Sequence, residues 1–168
     1  MNPVILILGN LCSVFAMITD SISATRKTPK AVLLVQSISQ AFYGIGTLLL
    51  KGYSGAVQNM VSILRNFAAI KNIQRKWIQW LFIVLGVVLG ILFNNIGPLG
   101  YLPVIANLQY SLAVFRFQDN ERALKYSLII SVILYTVFSA AILNFIGVAT
   151  NLVVFTTTAI HLIKTRKK

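Results

Sequence analysis

The segment Gly55-Ala56-Val57-Gln58-Asn59 returns as Gly147-Val148-Ala149-Thr150-Asn151, 92 positions later. The same offset carries the apolar segment before it, so that Ser39, Tyr43 and Thr47 fall on Ser131, Tyr135 and Ser139 without a gap. Each copy sets a small residue at the start of an apolar helix and a carboxamide one turn further in. Ahead of it runs a helix bearing a hydroxyl, a phenol and a second hydroxyl. This is the pattern of a duplication, and the remainder of the chain is read as the means of bringing the two copies together.

Composition fixes the solvent. A chain of 168 residues that is 57% hydrophobic and 11% charged, with a mean hydropathy of +0.81, cannot bury that much apolar surface in a water-soluble domain of its size. The formal net charge of +12 does not point to nucleic acid, because the basic residues sit in short runs between apolar segments instead of along one face. Cys12, the single cysteine, lies inside the first apolar segment, which excludes a disulfide framework and a thiolate metal cluster. The apolar run from Asn2 to Ser23 lacks a basic leading region and is long for a signal peptide, so a retained span is expected.

A helical span needs about 20 apolar residues, and seven segments meet or approach this: Pro3 to Ser23, Ala31 to Leu50, Gly55 to Ile70, Trp77 to Phe93, Gly100 to Phe115, Leu124 to Leu143 and Phe145 to Ile163. Lysine and arginine alternate between the links. Arg26, Lys27 and Lys30 share one side with Lys71, Arg75 and Lys76, with Arg116, Arg122 and Lys125, and with Lys164, Arg166, Lys167 and Lys168; the other side has only Lys51. Since cytoplasmic links hold the positive excess, the N-terminus is expected outside and the C-terminus in the cytoplasm. Trp77 and Trp80 then anchor the cytoplasmic interface.

Two parallel copies of three spans require one extra crossing between them, supplied by Trp77 to Phe93. The expected fold class is therefore an all-α integral membrane protein of seven transmembrane helices, two parallel three-helix bundles joined by a linker helix (3+1+3). Its parts are 1–72, 73–99 and 100–168. Gly86 and Gly90 give the linker a small-xxx-small edge for close packing. A weaker echo relates Ala106-Asn107-Leu108 to Gly9-Asn10-Leu11 at an offset of 97.

Polar residues inside the spans are costly unless turned inward. Gln36, Gln40, Tyr43 and Thr47 share a face of the second span. In the third, Gln58, Asn59, Ser62, Arg65 and Asn66 form a stripe, with Arg65 about 15 Å in from Gly55 by helical rise. The seventh repeats that stripe through Thr150, Asn151, Thr157, Thr158 and His161, with Thr157 in the place of Arg65. These stripes argue for an interior polar pocket or a polar helix contact. Asp20, at the end of the first span, is expected to pair with Arg26 and Lys27 at the interface.

With seven spans and an asparagine in spans three and seven, the chain resembles the SWEET and PQ-loop transporter superfamily. Within it, it is most similar to the bacterial inner-membrane family called YgjV, through Leu102-Pro103-Val104-Ile105 and through the small-residue start, Arg65 and basic cluster of the third span. It departs from the PQ-loop pattern in lacking the Pro-Gln dipeptide and the mid-helix prolines of spans two and six. The resemblance implies a bacterial inner-membrane location and a central solute pocket between two bundles. It places Asn59 and Asn151 in that pocket, with Tyr43 and Tyr135 as lining side chains. With Ser39, Ser131 and Arg65 these form the candidate solute-binding set. An amide beside an aromatic face suits a small neutral hydroxylated solute, a sugar among them.

The expectation is a uniporter working by alternating access. The alternative is a non-transporting receptor, scaffold or assembly factor of the same fold, in which the paired amides and phenols are interhelical hydrogen bonds. An enzyme is not expected, since one histidine, one cysteine and three acids do not assemble a metal site or a triad; no cofactor is called for. The partners expected are the lipid bilayer and a small solute. A homo-oligomer is compatible with the chain but not needed, because one chain encloses the pocket.

Overall fold

A computed structural model describes residues 2–24, 29–71, 73, 75–117 and 120–166. The described residues form seven α-helices and no strand: α1 (Pro3–Ala24), α2 (Pro29–Leu49), α3 (Tyr53–Ile70), α4 (Lys76–Leu92), α5 (Leu102–Arg116), α6 (Glu121–Ala141) and α7 (Phe145–Arg166), with a 3₁₀ turn at Gly97–Tyr101 ahead of α5. Each corresponds to one of the seven apolar segments. Local chemistry sets several of the starts. Asn2 Oδ1 accepts from the Val4 N–H at 2.9 Å, with Pro3 at the first helical position, where its missing N–H costs nothing. Asn120 Oδ1 accepts from Ala123 N–H at 3.0 Å, and Asn144 Oδ1 from Gly147 N–H at 2.8 Å, both satisfying donors that a helix start leaves open.

Six helices form a ring. Around it α1 touches α2, α2 touches α3, α3 touches α5, α5 touches α6, α6 touches α7 and α7 returns to α1. Among the described residues α1 does not touch α3, nor α5 α7, so each set of three is an open row that closes only against the other. Helix α4 lies outside the ring, across the seam between α3 and α5. The two glycines of α4 do what their spacing predicts. A Cβ on Gly90 would stand 2.5 Å from Val104 Cγ2, and one on Gly86 3.2 Å from Gln58 Oε1.

The turns joining α2 to α3 and α6 to α7 are alike bond for bond. Lys51 and Leu143 both take the left-handed conformation, with φ of 60° and 59°, and behind them Gly52 N–H donates to Thr47 O at 2.7 Å and Asn144 N–H to Ser139 O at 2.8 Å. Such 6→1 bonds close a helix end by the Schellman pattern. Each turn is also gripped by a carboxamide from elsewhere. Asn95, in the link after α4, donates to Lys51 O at 2.6 Å and accepts from Tyr53 N–H at 3.2 Å. Asn10, on α1, donates to Leu143 O at 3.0 Å and accepts from Ile146 N–H at 3.2 Å.

Burial is inverted relative to a water-soluble bundle. Ile7, Phe15, Met60, Trp77, Leu92 and Val153 are among many large apolar side chains on the outside, whereas the interior holds Ser13, Ser39, Ser54, Ser62, Ser111 and Ser131. Small hydroxyl residues between helices allow close backbone approach and interhelical hydrogen bonds. Ser39 Oγ donates from α2 to Ala16 O of α1 at 2.9 Å, and Ser131 Oγ from α6 to Ala106 O of α5 at 3.0 Å. Pro3–Ser23 and Arg122–Ala141 are long and apolar enough to cross a bilayer; Leu33–Leu49, Lys76–Leu92 and Phe145–Ile160 are apolar but shorter. In α2, α3 and α5 the interruptions include Gln40, Asn59, Arg65 and Asn107, all of which face the inside of the ring.

Candidate functional site

The ring encloses a cavity of about 290 Å³ lined by α1, α2, α3, α5, α6 and α7 and by the turn before α7. At the end carrying the two matched turns it is capped by Phe138, which is 1% exposed and clusters with Leu50 and Ile142. The ring of Phe138 lies over the start of α3, where a Cβ at Gly55 would come within 2.5 Å of its Cε1. The repeated glycine therefore serves two purposes. Gly55 makes room for Phe138, while Gly147 makes room for the Asn144 carboxamide, 2.8 Å from where its Cβ would stand.

Midway down, the paired residues face each other. Tyr43 and Asn59 on one side, Tyr135 and Asn151 on the other, all line the cavity. Asn59 Nδ2 donates back to Gly55 O at 3.0 Å, which leaves its carbonyl oxygen toward the space. The Asn151 carboxamide makes no hydrogen bond among the described residues. Thr150 of α7 lines the same cavity, its hydroxyl donating to Ile146 O at 2.9 Å. Such a wall combines aromatic faces with amide donors and acceptors, the usual make-up of a polar-solute site.

Toward the far end lie the two charged side chains on the wall, Asp20 of α1 and Arg65 of α3, with Tyr110 and Asn107 of α5. Arg65 Nη1 donates to Ser111 Oγ at 3.3 Å. Asp20 is partly buried on the cavity wall. Its expected interfacial partners, Arg26 and Lys27, lie outside the described residues. What the structure adds is that the carboxylate looks into the cavity.

A family model described as a bacterial inner membrane protein, Imp-YgjV, matches residues 7–168. The chain belongs to that family. No curated protein and no solved structure matches it. As an Imp-YgjV protein it meets the lipid bilayer, and its belt of exposed apolar side chains is the surface that does so.

Of the candidate set, Asn59, Asn151, Tyr43, Tyr135, Ser131 and Arg65 line the cavity, and Ser39 does not. Ser39 is fully buried, its hydroxyl spent on the Ala16 carbonyl. The stripe on α3 divides: Asn59, Ser62 and Arg65 turn to the cavity, whereas Gln58, one residue round the helix, enters the α3–α4–α5 junction. There Gln58 donates to Gly86 O at 2.8 Å and accepts from Asn107 Nδ2 at 2.6 Å. On α7 the stripe stops early. Thr150, Asn151 and Val154 line the cavity, but Thr157 is exposed and bonds its own helix at Val153 O, so it does not stand in for Arg65. The His161 side chain lies outside what the structure describes.

The echo of Asn10 in Asn107 is likewise not a structural one, since Asn10 holds a turn and Asn107 holds Gln58. The matched Ser39 and Ser131 bonds instead pair Ala16 with Ala106, an offset of 90 in the first helix of each row. On that register Tyr110 answers Asp20, and both line the cavity. Sequence reading misses Tyr110 because 25 positions separate Ala106 from Ser131 where 23 separate Ala16 from Ser39, so the offset of 92 does not carry into the first helix of the row. It misses Phe138 because an aromatic in an apolar run carries no signal of its own.

Proposed function

We propose that the protein is a SWEET-like multi-pass carrier, a uniporter in which two parallel rows of three spans, related by duplication and joined by α4, rock around the central cavity to move a small polar solute. The observation that carries this reading is the cavity itself. It is large enough for a small solute, walled by both rows, and its central residues are the pairs Asn59 with Asn151 and Tyr43 with Tyr135. The matched turns at Lys51 and Leu143 support descent of the rows from one unit. The arrangement suits alternating access at a site between repeats. The charge alternation of the links places the N-terminus and the matched turns outside and the C-terminus in the cytoplasm, so that Phe138 closes the outer end. Asp20 is the only acid inside the described spans that faces the cavity, which favours facilitated diffusion over ion-coupled transport.

Flux of labelled monosaccharides, nucleosides, carboxylates and amino acids in proteoliposomes tests the proposal, with wild type set beside the double variant Asn59→Ala, Asn151→Ala. The expected result is movement of one solute class, lost in a double variant that still folds. If no solute moves and the variant only melts earlier, the pairs are interhelical contacts, and a non-transporting receptor or scaffold is the better reading.

A further inference from the structure

Arg65 brings a full positive charge to the wall of a cavity inside a lipid-embedded ring, and among the described residues no carboxylate pairs with it. Its one direct hydrogen bond goes to a neutral hydroxyl, Ser111, at 3.3 Å. Asp20, the other charged group on the wall, sits on α1, which α2 separates from α3. A guanidinium offers five N–H donors in a planar fork, and the bond to Ser111 uses one of them on a side chain that lines the cavity. The contact with Ser111 holds one arm of the fork at the junction of α3, α4 and α5, so that Arg65 borders both that crevice and the cavity. The phenols of Tyr110 from α5 and Tyr135 from α6 line the same cavity.

Isolated charges in low-dielectric surroundings are costly unless paired. Here three helices bring a fork of charged donors and two phenolic donors to the wall of one accessible space, which is the chemistry that holds a planar or tetrahedral oxyanion. We infer that the solute carries an oxyanion, a carboxylate or a phosphate, which Arg65 binds with Tyr110 and Tyr135 beside it. This replaces the neutral solute expected from the amide and aromatic pairs. It deepens the carrier reading and rests on it only for the statement that the anion is cargo.

The test uses the full chain purified in neutral detergent at constant ionic strength. Melting temperature is titrated with lactate, inorganic phosphate and glucose for wild type, Arg65→Gln and Arg65→Lys. The expected result is a saturable rise with lactate or phosphate, an affinity lower by about tenfold or more in Arg65→Gln, and a smaller loss in Arg65→Lys, which keeps the charge without the fork. Should Arg65→Gln fail to fold, Arg65→Lys decides: an affinity equal to wild type overturns the inference. So does a response to glucose alone, no response to either anion, or equal anion affinity in all three proteins. Phosphatidylglycerol added to delipidated protein separates the sources. Stabilisation by the lipid without any response to soluble anions assigns Arg65 to a headgroup and overturns the anionic cargo. Anion binding without flux in proteoliposomes sinks the carrier and leaves the site, whereas flux confined to neutral solutes sinks the anion and leaves the carrier.

Discussion

Asn107 and Gln58 are joined by a 2.6 Å hydrogen bond between side-chain carboxamides, and Gln58 hands its own nitrogen on to the Gly86 carbonyl at 2.8 Å. With the Gln58 side chain 1% exposed, this chain of two bonds is how α3, α4 and α5 are locked. Replacing one partner, as in Asn107→Leu, leaves a buried carbonyl oxygen unmet and is expected to cost about 1–3 kcal/mol. The double variant Gln58→Leu, Asn107→Leu removes both needs at once. It is expected to lose less than the sum of the singles, with a coupling energy of about 0.6–1.7 kcal/mol, the range of such bonds inside membranes. Unfolding in mixed micelles by a denaturing detergent measures all four corners of the cycle.

The contact between Gly55 and Phe138 predicts an overpacking defect with a specific remedy. Gly55→Ala places a methyl 2.5 Å from the ring edge, so the ring or the start of α3 must move, at about 1–3 kcal/mol. Phe138→Leu in the same chain relieves the clash. The pair is expected to be more stable than the sum of its singles, which the same micelle unfolding reads; additive losses would show that Phe138 does not bear on Gly55.

The left-handed residues at the two turns give a third expectation. Lys51 and Leu143 hold φ near 60° without being glycine, at about 1–2 kcal/mol each. Lys51→Gly and Leu143→Gly are each expected to raise stability modestly, by less than that strain, because glycine also gains freedom when unfolded. Asn95→Ala is expected to destabilise by about 0.5–1.5 kcal/mol by releasing the Lys51 carbonyl to water. Hydrogen exchange should show the loss confined at first to the α2–α3 turn, and protection unchanged there would count against the grip.

Much of this was legible in the residues, and the part that was not has physical causes. The number of helices follows from apolar runs and basic links. Asn59, Asn151, Tyr43 and Tyr135, picked out by one offset, all line the cavity, since that offset also matches the turns that α2 and α6 end in. Periodicity fixes a face only to within one neighbouring position, so Gln58 and Asn59, adjacent in sequence, were read as one stripe although they serve a helix junction and a cavity. Ser39 and Ser131 read alike, but only the latter lines the cavity. The grip of Asn95 on Lys51 joins residues 44 positions apart, and no local pattern announces a bond of that span.

The two carboxamide grips bear on how such a chain could ever be taken apart. The turn in the first row is held by Asn95, which lies beyond that row, and the turn in the second is held by Asn10, which lies in the first. Neither row carries the holder of its own bend. A fragment ending before the linker would lose the group that satisfies the Lys51 carbonyl. Separating either row from the rest of the chain would therefore strip its turn of the group that holds it.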